Sequence, residues 1–152
     1  MTTASGDFDL TQDELRIVAN YALQAAEMVL PYFEDACPDD PRPRAAIEAA
    51  REFVRGKNRS KLQRVASVEA HRAAKDATSE VSRLAAQAAG DAASAAYLHP
   101  IAKATQVGHI LRAAASEVRI IEIGSLDDPA ATENQIKASV RRATPTLREV
   151  LL

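Results

Sequence analysis

The sequence predicts an all-α fold, a single-domain helical bundle of five to six helices. Apolar residues recur at three- and four-residue spacing from Thr11 to Ile121, the period of helices with one buried face. Alanine, the strongest helix former, supplies 32 of the 152 residues, and no convincing strand pattern competes with it. This length is that of one domain. We expect a helical bundle over residues 11–143, between a disordered tail at residues 1–10 and a C-terminal tail at residues 144–152.

The first helix is predicted to begin after Thr11, because Thr11 and Glu14 have the spacing of a capping box. Pro31 lies within the helical pattern and removes one backbone donor, so we expect a kink there and an end near Ala36. The buried stripe predicted for this helix comprises Leu15, Val18, Ala22, Ala26, Val29 and Phe33.

Three prolines between Cys37 and Arg44 predict a rigid connection to the second helix. Either Asp39 or Asp40 can cap that helix, and Arg42 and Arg44 can pair with nearby carboxylates. The second helix should end at Gly56, with Ala46, Ile47, Ala50, Phe53 and Val54 inward. The residues assigned to this structural motif are Asp39, Asp40, Arg42, Pro43 and Arg44.

Residues 60–98 are predicted to form two helices, although one long helix is an alternative. Ser60 and Gln63 suggest a capping box for the third helix, whose predicted inward residues are Leu62, Val65, Ala66, Ala70, Ala73 and Ala77. Thr78 and Ser79 interrupt the pattern, and Ser79 can cap a fourth helix over about residues 80–98. Gly90 in mid-helix predicts that a neighbouring element packs closely there.

The fifth helix is predicted over about residues 100–122, between the His99-Pro100 step and a turn at residues 124–129. Its predicted buried residues are Ile101, Ala104, Val107, Ile110, Leu111, Ala114, Val118 and Ile121. A weaker sixth helix follows over about residues 130–143, with Ile136 and Val140 inward.

Charge and cysteine content limit the classes of protein and compartment. A net charge of -2 gives no whole-molecule attraction to nucleic acid or anionic lipid. Charged residues interrupt every apolar stretch long enough to span a membrane. Cys37 is the only cysteine, so no internal disulfide can form, and we expect a cytoplasmic location.

The titratable residues show no pattern typical of catalysis or metal binding. His71, His99 and His109 lack the spacing of a helical metal-binding pair, and Cys37 lies beside carboxylates that oppose thiolate formation. We therefore expect no catalytic residue, no cofactor and no metal ligand. A composite His/carboxylate site assembled from several helices remains the alternative.

The largest cationic area in the sequence lies on the outer side of the second helix and in the basic turn after it. The predicted partner-binding surface comprises Arg44, Glu48, Arg51, Arg55, Lys57 and Arg59. Arginine suits forked pairing with carboxylates of a protein partner. The alternative is a solvated helix with local ion pairs from Arg44 to Glu48 and from Glu48 to Arg51.

Several motifs together resemble a bacterial family of proposed immunity proteins, the immunity-protein-five-like domains of polymorphic toxin systems. They are LPYFE at residues 30–34, PDDPRPRAAIEAAR at residues 38–51, Gly56, AHRAA at residues 70–74 and AAG at residues 88–90. The resemblance covers about residues 10–117. It implies an all-helical cytosolic protein that binds and neutralises a toxin and has no enzymatic role.

The chain departs from that family at two positions after Gly90. Tyr97 and Ile101 stand where a pair of histidines is expected. The hypotheses are accordingly a toxin-binding protein, an orphan helical enzyme or metal protein, and an interaction module that dimerises.

Overall fold

Six α-helices and one short 3-10 helix make up the computed structural model, which describes residues 11–97, 104–124 and 129–142. The helices are α1 (Gln12–Ala36), α2 (Arg42–Val54), α3 (Lys61–Asp76), α4 (Glu80–Ser94), the 3-10 helix (Ala95–Tyr97), α5 (Ala104–Gly124) and α6 (Pro129–Arg142). No strand occurs in these ranges, and the predicted all-α bundle is confirmed. The tails predicted at residues 1–10 and 144–152 lie outside the described residues.

Helix α1 begins and ends where its sequence predicts. The Thr11 hydroxyl accepts from the Glu14 amide at 3.1 Å, and the Glu14 carboxylate accepts from the Thr11 amide at 3.0 Å. The helix continues through Pro31, which is exposed, and ends at Ala36. The capping box satisfies two amides that would otherwise lack partners at the start of the helix.

Asp40, and not Asp39, holds the start of α2. Its Oδ1 accepts from the Arg42 amide at 3.1 Å and from the Arg42 Nε at 2.9 Å, while Oδ2 accepts from the Arg42 Nη2 at 2.8 Å. The same Nη2 also lies 3.0 Å from the Asp76 carboxylate at the end of α3. The motif therefore ties the start of one helix to the end of another.

We expect Asp40→Ala to lower the free energy of unfolding by about 1 kcal/mol, because it removes the carboxylate that accepts from the first turn of α2. Urea denaturation of the purified variant measures the change. Asp39→Ala is the matched control, since Asp39 is exposed and should leave the midpoint unaltered. An unchanged midpoint for Asp40→Ala would contradict this structural role.

Arg16 on α1 closes the other end of α2. Its Nε donates to the Phe53 carbonyl at 3.1 Å, and its Nη2 lies 3.4 Å from the Gly56 carbonyl. The guanidinium also lies 5.1 Å from the centre of the Phe53 ring. Gly56 adopts a φ of 106°, which glycine tolerates without strain. A distant arginine thus binds one carbonyl in the last turn of α2 and one in the turn that follows it.

Residues 60–97 form two helices followed by the 3-10 turn, as the predicted interruption at Thr78 and Ser79 requires. Ser79 accepts from the Ser82 amide at 3.1 Å and caps α4. In α3, the prediction that Leu62 and Val65 face the core is wrong, because both are exposed. The buried face of α3 instead carries Gln63, Ala66, Ser67, Ala70, Ala73 and Ala74.

Helix α4 lies at the centre of the bundle, in contact with α1, α2, α3 and α5. Its buried residues are almost all small: Ser82, Ala85, Ala86, Ala88, Ala89, Gly90, Asp91, Ala92 and Ala93. Small side chains let neighbouring helices approach closely. This is why α3 buries its alanines against α4 and leaves its larger apolar residues outside.

The last two helices differ from the prediction in their inward faces. The buried residues described in α5 are Ala113, Ala114, Ser116, Glu117 and Ile120. Val118 and Ile121, predicted as core, are half-buried, and Ile136 of α6 is exposed. The first part of the predicted fifth helix, with His99 and Ile101, lies outside the described residues, as does the side chain of Val140.

Candidate functional site

The predicted partner-binding surface lies on the outer side of α2, where its arginines pair with carboxylates of α1. Arg44 forms a fork with Glu34, with Nε to Oε2 at 2.7 Å and Nη2 to Oε1 at 2.6 Å. The hydrogen bond from Arg44 holds the pKa of Glu34 below its ordinary value. Arg44 thus forms its ion pair with Glu34 of α1, and not with Glu48 of its own helix as the sequence spacing predicts.

Arg51 joins two carboxylates in the middle of the same surface. Its Nη1 donates to Glu48 at 2.8 Å and its Nη2 to Glu27 at 3.2 Å. The expected pair between Glu48 and Arg51 is therefore present, together with an interhelical contact that sequence spacing could not indicate. The surface carries alternating charges and is not a purely cationic area.

Arg55 lies beside an open groove of about 340 Å³ between α1 and α2. The groove is lined by Asn20, Leu23, Glu27, Arg51, Val54 and Arg55. Arg55 is exposed, and no ion pair among the described residues involves it. Arg55, directly after the last residue of α2, is therefore available to a partner.

The two cations of the basic turn after α2, Lys57 and Arg59, make contacts in different places. The Lys57 Nζ lies 3.6 Å from the Glu52 carboxylate and is well exposed. Arg59 turns toward the bundle, where its Nη1 donates to the Ala96 carbonyl at 3.1 Å and its guanidinium lies 5.5 Å from the centre of the Tyr97 ring. The predicted surface thus extends through Lys57, while Arg59 belongs to a second contact at Tyr97.

A buried carboxylate, Asp91, forms a second cluster that sequence reasoning missed. Arg112 of α5 binds it through a fork, with Nε to Oδ2 at 2.8 Å and Nη2 to Oδ1 at 2.5 Å. The Nε2 of His71 on α3 lies 3.4 Å from Oδ1. Burial raises the pKa of Asp91, but hydrogen bonds from His71 and Arg112 and the charge of Arg112 outweigh it, so the pKa lies below its ordinary value.

Gly90 lets the His71 ring reach Asp91. A Cβ at position 90 would lie 2.6 Å from the His71 Nε2 and 2.7 Å from its Cδ2. The Gly90 carbonyl also accepts from the Ser67 hydroxyl at 2.8 Å. The close packing predicted for this glycine is therefore the contact with His71. In the sequence, the one signal of this cluster is that Asp91 is a charged residue within an alanine-rich stretch.

The cluster joins α3, α4 and α5 through one buried carboxylate. Both oxygens of Asp91 accept from the Arg112 guanidinium, and the Asp91 side chain is only 1% exposed, so this carboxylate joins the helices around it. Within residues 11–97, 104–124 and 129–142, no group of three His, Cys, Asp or Glu side chains is arranged to hold a metal. His99 and the side chain of His109 lie outside the described part of the chain.

The geometry therefore defines an all-α bundle with a structural ion cluster inside and paired charges on its surface. None of the helices in the described part of the chain is long and apolar enough to cross a bilayer. A family model described as "Imm-5 like putative immunity protein" matches residues 9–141. The chain belongs to this Imm-5-like family. Comparison with curated proteins and with solved structures gives no significant match.

Tyr97, one of the two departures noted in the sequence, has a structural role in this chain. Its hydroxyl donates to the Ser60 carbonyl, and the Arg64 guanidinium lies 4.6 Å from the centre of its ring. Together with the contact from Arg59, these contacts tie the 3-10 helix to the start of α3. The other departure, Ile101, lies outside the described residues.

Proposed function

We propose that this protein is a cytoplasmic immunity protein that binds a bacterial toxin and neutralises it without catalysing a reaction. Membership of the immunity-protein family over residues 9–141 is the observation that carries the proposal. The forked pairing with Arg112 gives the buried Asp91 carboxylate a structural role, which supports a protein that acts by binding.

We propose the outer side of α2 and the adjoining groove as a toxin-binding surface. The forks and bridges from Arg44 and Arg51 to α1 hold these side chains in place before a partner arrives. Such preorganisation reduces the side-chain entropy lost on binding. Arg55 and Lys57 then supply positive charge to a partner surface that is rich in carboxylates.

Co-expression with the toxin encoded by the neighbouring gene tests the proposed function. We expect growth to be restored and the two purified proteins to form a stable complex, measured by calorimetry. Restored growth without a stable complex would contradict neutralisation by binding and would favour the enzyme alternative. A toxin unaffected by this protein would contradict the immunity role for that pair.

Arg55→Glu is expected to slow association with the toxin about tenfold at low salt, because it reverses the available cation beside the groove. Arg51→Glu/Arg55→Glu should slow it further. Surface plasmon resonance at two salt concentrations measures the rates, and circular dichroism checks that both variants are folded. Arg83→Glu, at an exposed position of α4, is the charge control. An association rate equal to that of the control would remove the α2 side from the binding surface.

A further inference from the structure

Three apolar side chains form an exposed row on the outer face of α3. Leu62, Val65 and Val68 are 46%, 49% and 46% exposed and follow one another at three-residue spacing. Residues at this spacing form a continuous ridge along a helix. Single exposed apolar residues need no explanation, but adjacent ones on one helix face form an apolar patch that a partner can cover.

Helix stability does not explain why the row contains valines. Valine loses side-chain freedom in a helix and is a weaker helix former than alanine. Alanine fills the buried positions of α3 at residues 66, 70, 73 and 74. Two β-branched residues at exposed positions of an alanine-rich helix therefore favour a role outside the fold itself.

Positive charges surround this apolar row. The cations of the outer face are Lys61, Arg64, Arg72 and Lys75. Only Arg72 has a carboxylate partner among them in the described residues, Glu69, at 2.5 Å. Arg64 instead lies against the ring of Tyr97, the last residue of the 3-10 helix. The acidic residues of α3 are engaged, because Glu69 binds Arg72 and Asp76 binds Arg42.

We infer that the outer face of α3 docks a protein surface that has an apolar strip bordered by carboxylates. This outer face comprises Leu62, Val65, Val68, Lys61, Arg64 and Lys75. The inference rests on the proposed function, since it describes the chemistry of the toxin surface bound. Charge complementarity selects an acidic partner. A protein partner is favoured over nucleic acid, because the row has no aromatic ring on which a base could stack.

Two variants separate the apolar and charged contributions to toxin binding. Val65→Gln/Val68→Gln should weaken binding to the toxin of the neighbouring gene at least tenfold at every salt concentration. Lys61→Glu/Lys75→Glu should weaken it about tenfold at low salt and less at high salt. Met28→Gln is the matched apolar control, because Met28 is 56% exposed on α1, and Arg83→Glu is the charge control.

The outcomes distinguish this inference from the proposed function. Neutralisation that persists with unchanged affinity in both α3 variants overturns the inference and leaves the proposed function intact. Failure of the wild-type protein to neutralise the toxin overturns the proposed function for that pair. In that case, binding by the outer face of α3 is tested with a synthetic helical peptide of about 20 residues, which carries a strip of leucines between glutamates.

Amide chemical shifts measured by NMR report binding of that peptide. We expect changes confined to α3 and its neighbouring turn, and their loss in Val65→Gln/Val68→Gln. Absence of changes at about 1 mM peptide, where even weak contacts are detectable, would overturn the inference. A peptide with glutamine in place of glutamate is the control and should bind more weakly.

Other occupants of the face give different results. The wild-type protein is also tested for binding to anionic phosphatidylglycerol vesicles and to duplex DNA. If Lys61→Glu/Lys75→Glu abolishes such binding and Val65→Gln/Val68→Gln leaves it unchanged, the inference is overturned in favour of a general anion surface. A concentration-dependent dimer in sedimentation analysis that Val65→Gln/Val68→Gln abolishes would overturn it in favour of a second copy of this chain.

Discussion

Arg112→Met is expected to lower the free energy of unfolding by about 3 kcal/mol, because it leaves the Asp91 carboxylate buried without its fork. The Asp91 side chain is 1% exposed, so methionine in place of Arg112 leaves the carboxylate covered by a side chain that offers no hydrogen-bond donor. The expected loss is at the lower end of the range for breaking a buried pair, since His71 remains beside Asp91. Urea denaturation at neutral pH measures it.

The contribution of Asp91 to the pH dependence of stability should change sign between the wild type and this variant. In the wild type the pKa of Asp91 is lowered, so its stabilisation is present above the unfolded pKa of about 4 and is lost as the pH falls through the folded value. Without Arg112, burial raises the pKa of Asp91, so acidification should relieve part of the destabilisation. Denaturation midpoints between about pH 7 and pH 3 test this difference.

Asp91→Asn/Arg112→Met is the control for the ion cluster. This double variant has no buried charge to leave unpaired, so it should be more stable than Arg112→Met alone. If Arg112→Met and Asp91→Asn/Arg112→Met are equally stable, the buried charge of Asp91 does not need Arg112 as its partner. The same result would contradict the assignment of a structural cluster.

Gly90→Val is expected to lower the free energy of unfolding by about 2–3 kcal/mol through overpacking. The first carbon of any side chain at position 90 would already lie 2.6 Å from the His71 Nε2. The branched side chain must therefore displace His71 from Asp91 or separate α3 from α4. Thermal and urea denaturation of the variant measure the effect.

Gly90→Ala/His71→Ala separates this clash from the ordinary properties of glycine. With the ring removed, alanine at position 90 meets none of the three atoms nearest to it and gains helix propensity of about 1 kcal/mol. Gly90→Ala should thus stabilise the His71→Ala background but destabilise the wild type. Destabilisation of equal size in both backgrounds would show that some other neighbour requires glycine.

Helix ends are the features that could be predicted from local sequence. Thr11 with Glu14, and Ser60 with Gln63, form capping boxes because both partners of each pair lie within one turn of the chain. Ser79 likewise separates α3 from α4 through a contact three residues away. These bonds need no information about the rest of the fold.

The inward faces of the helices were harder to predict, and α3 shows why. Periodicity alone placed Leu62 and Val65 inside, because large apolar residues usually mark the buried side of a helix. The bundle buries the alanine face instead, since α4 approaches closely through its own small residues. Gln63 is buried because its amide donates to the Ala49 carbonyl at 3.0 Å, a partner on another helix.

The sequence by itself determined the class of fold, most helix ends and the family, all of which depend on residues close together in the chain or on recognisable motifs. Only the tertiary structure decided the partners of the charged groups. Arg44 lies 10 residues from Glu34, and Arg112 lies 21 residues from Asp91. Such pairs form only when helix packing has set the rotation and height of each helix, and that packing depends on the whole core.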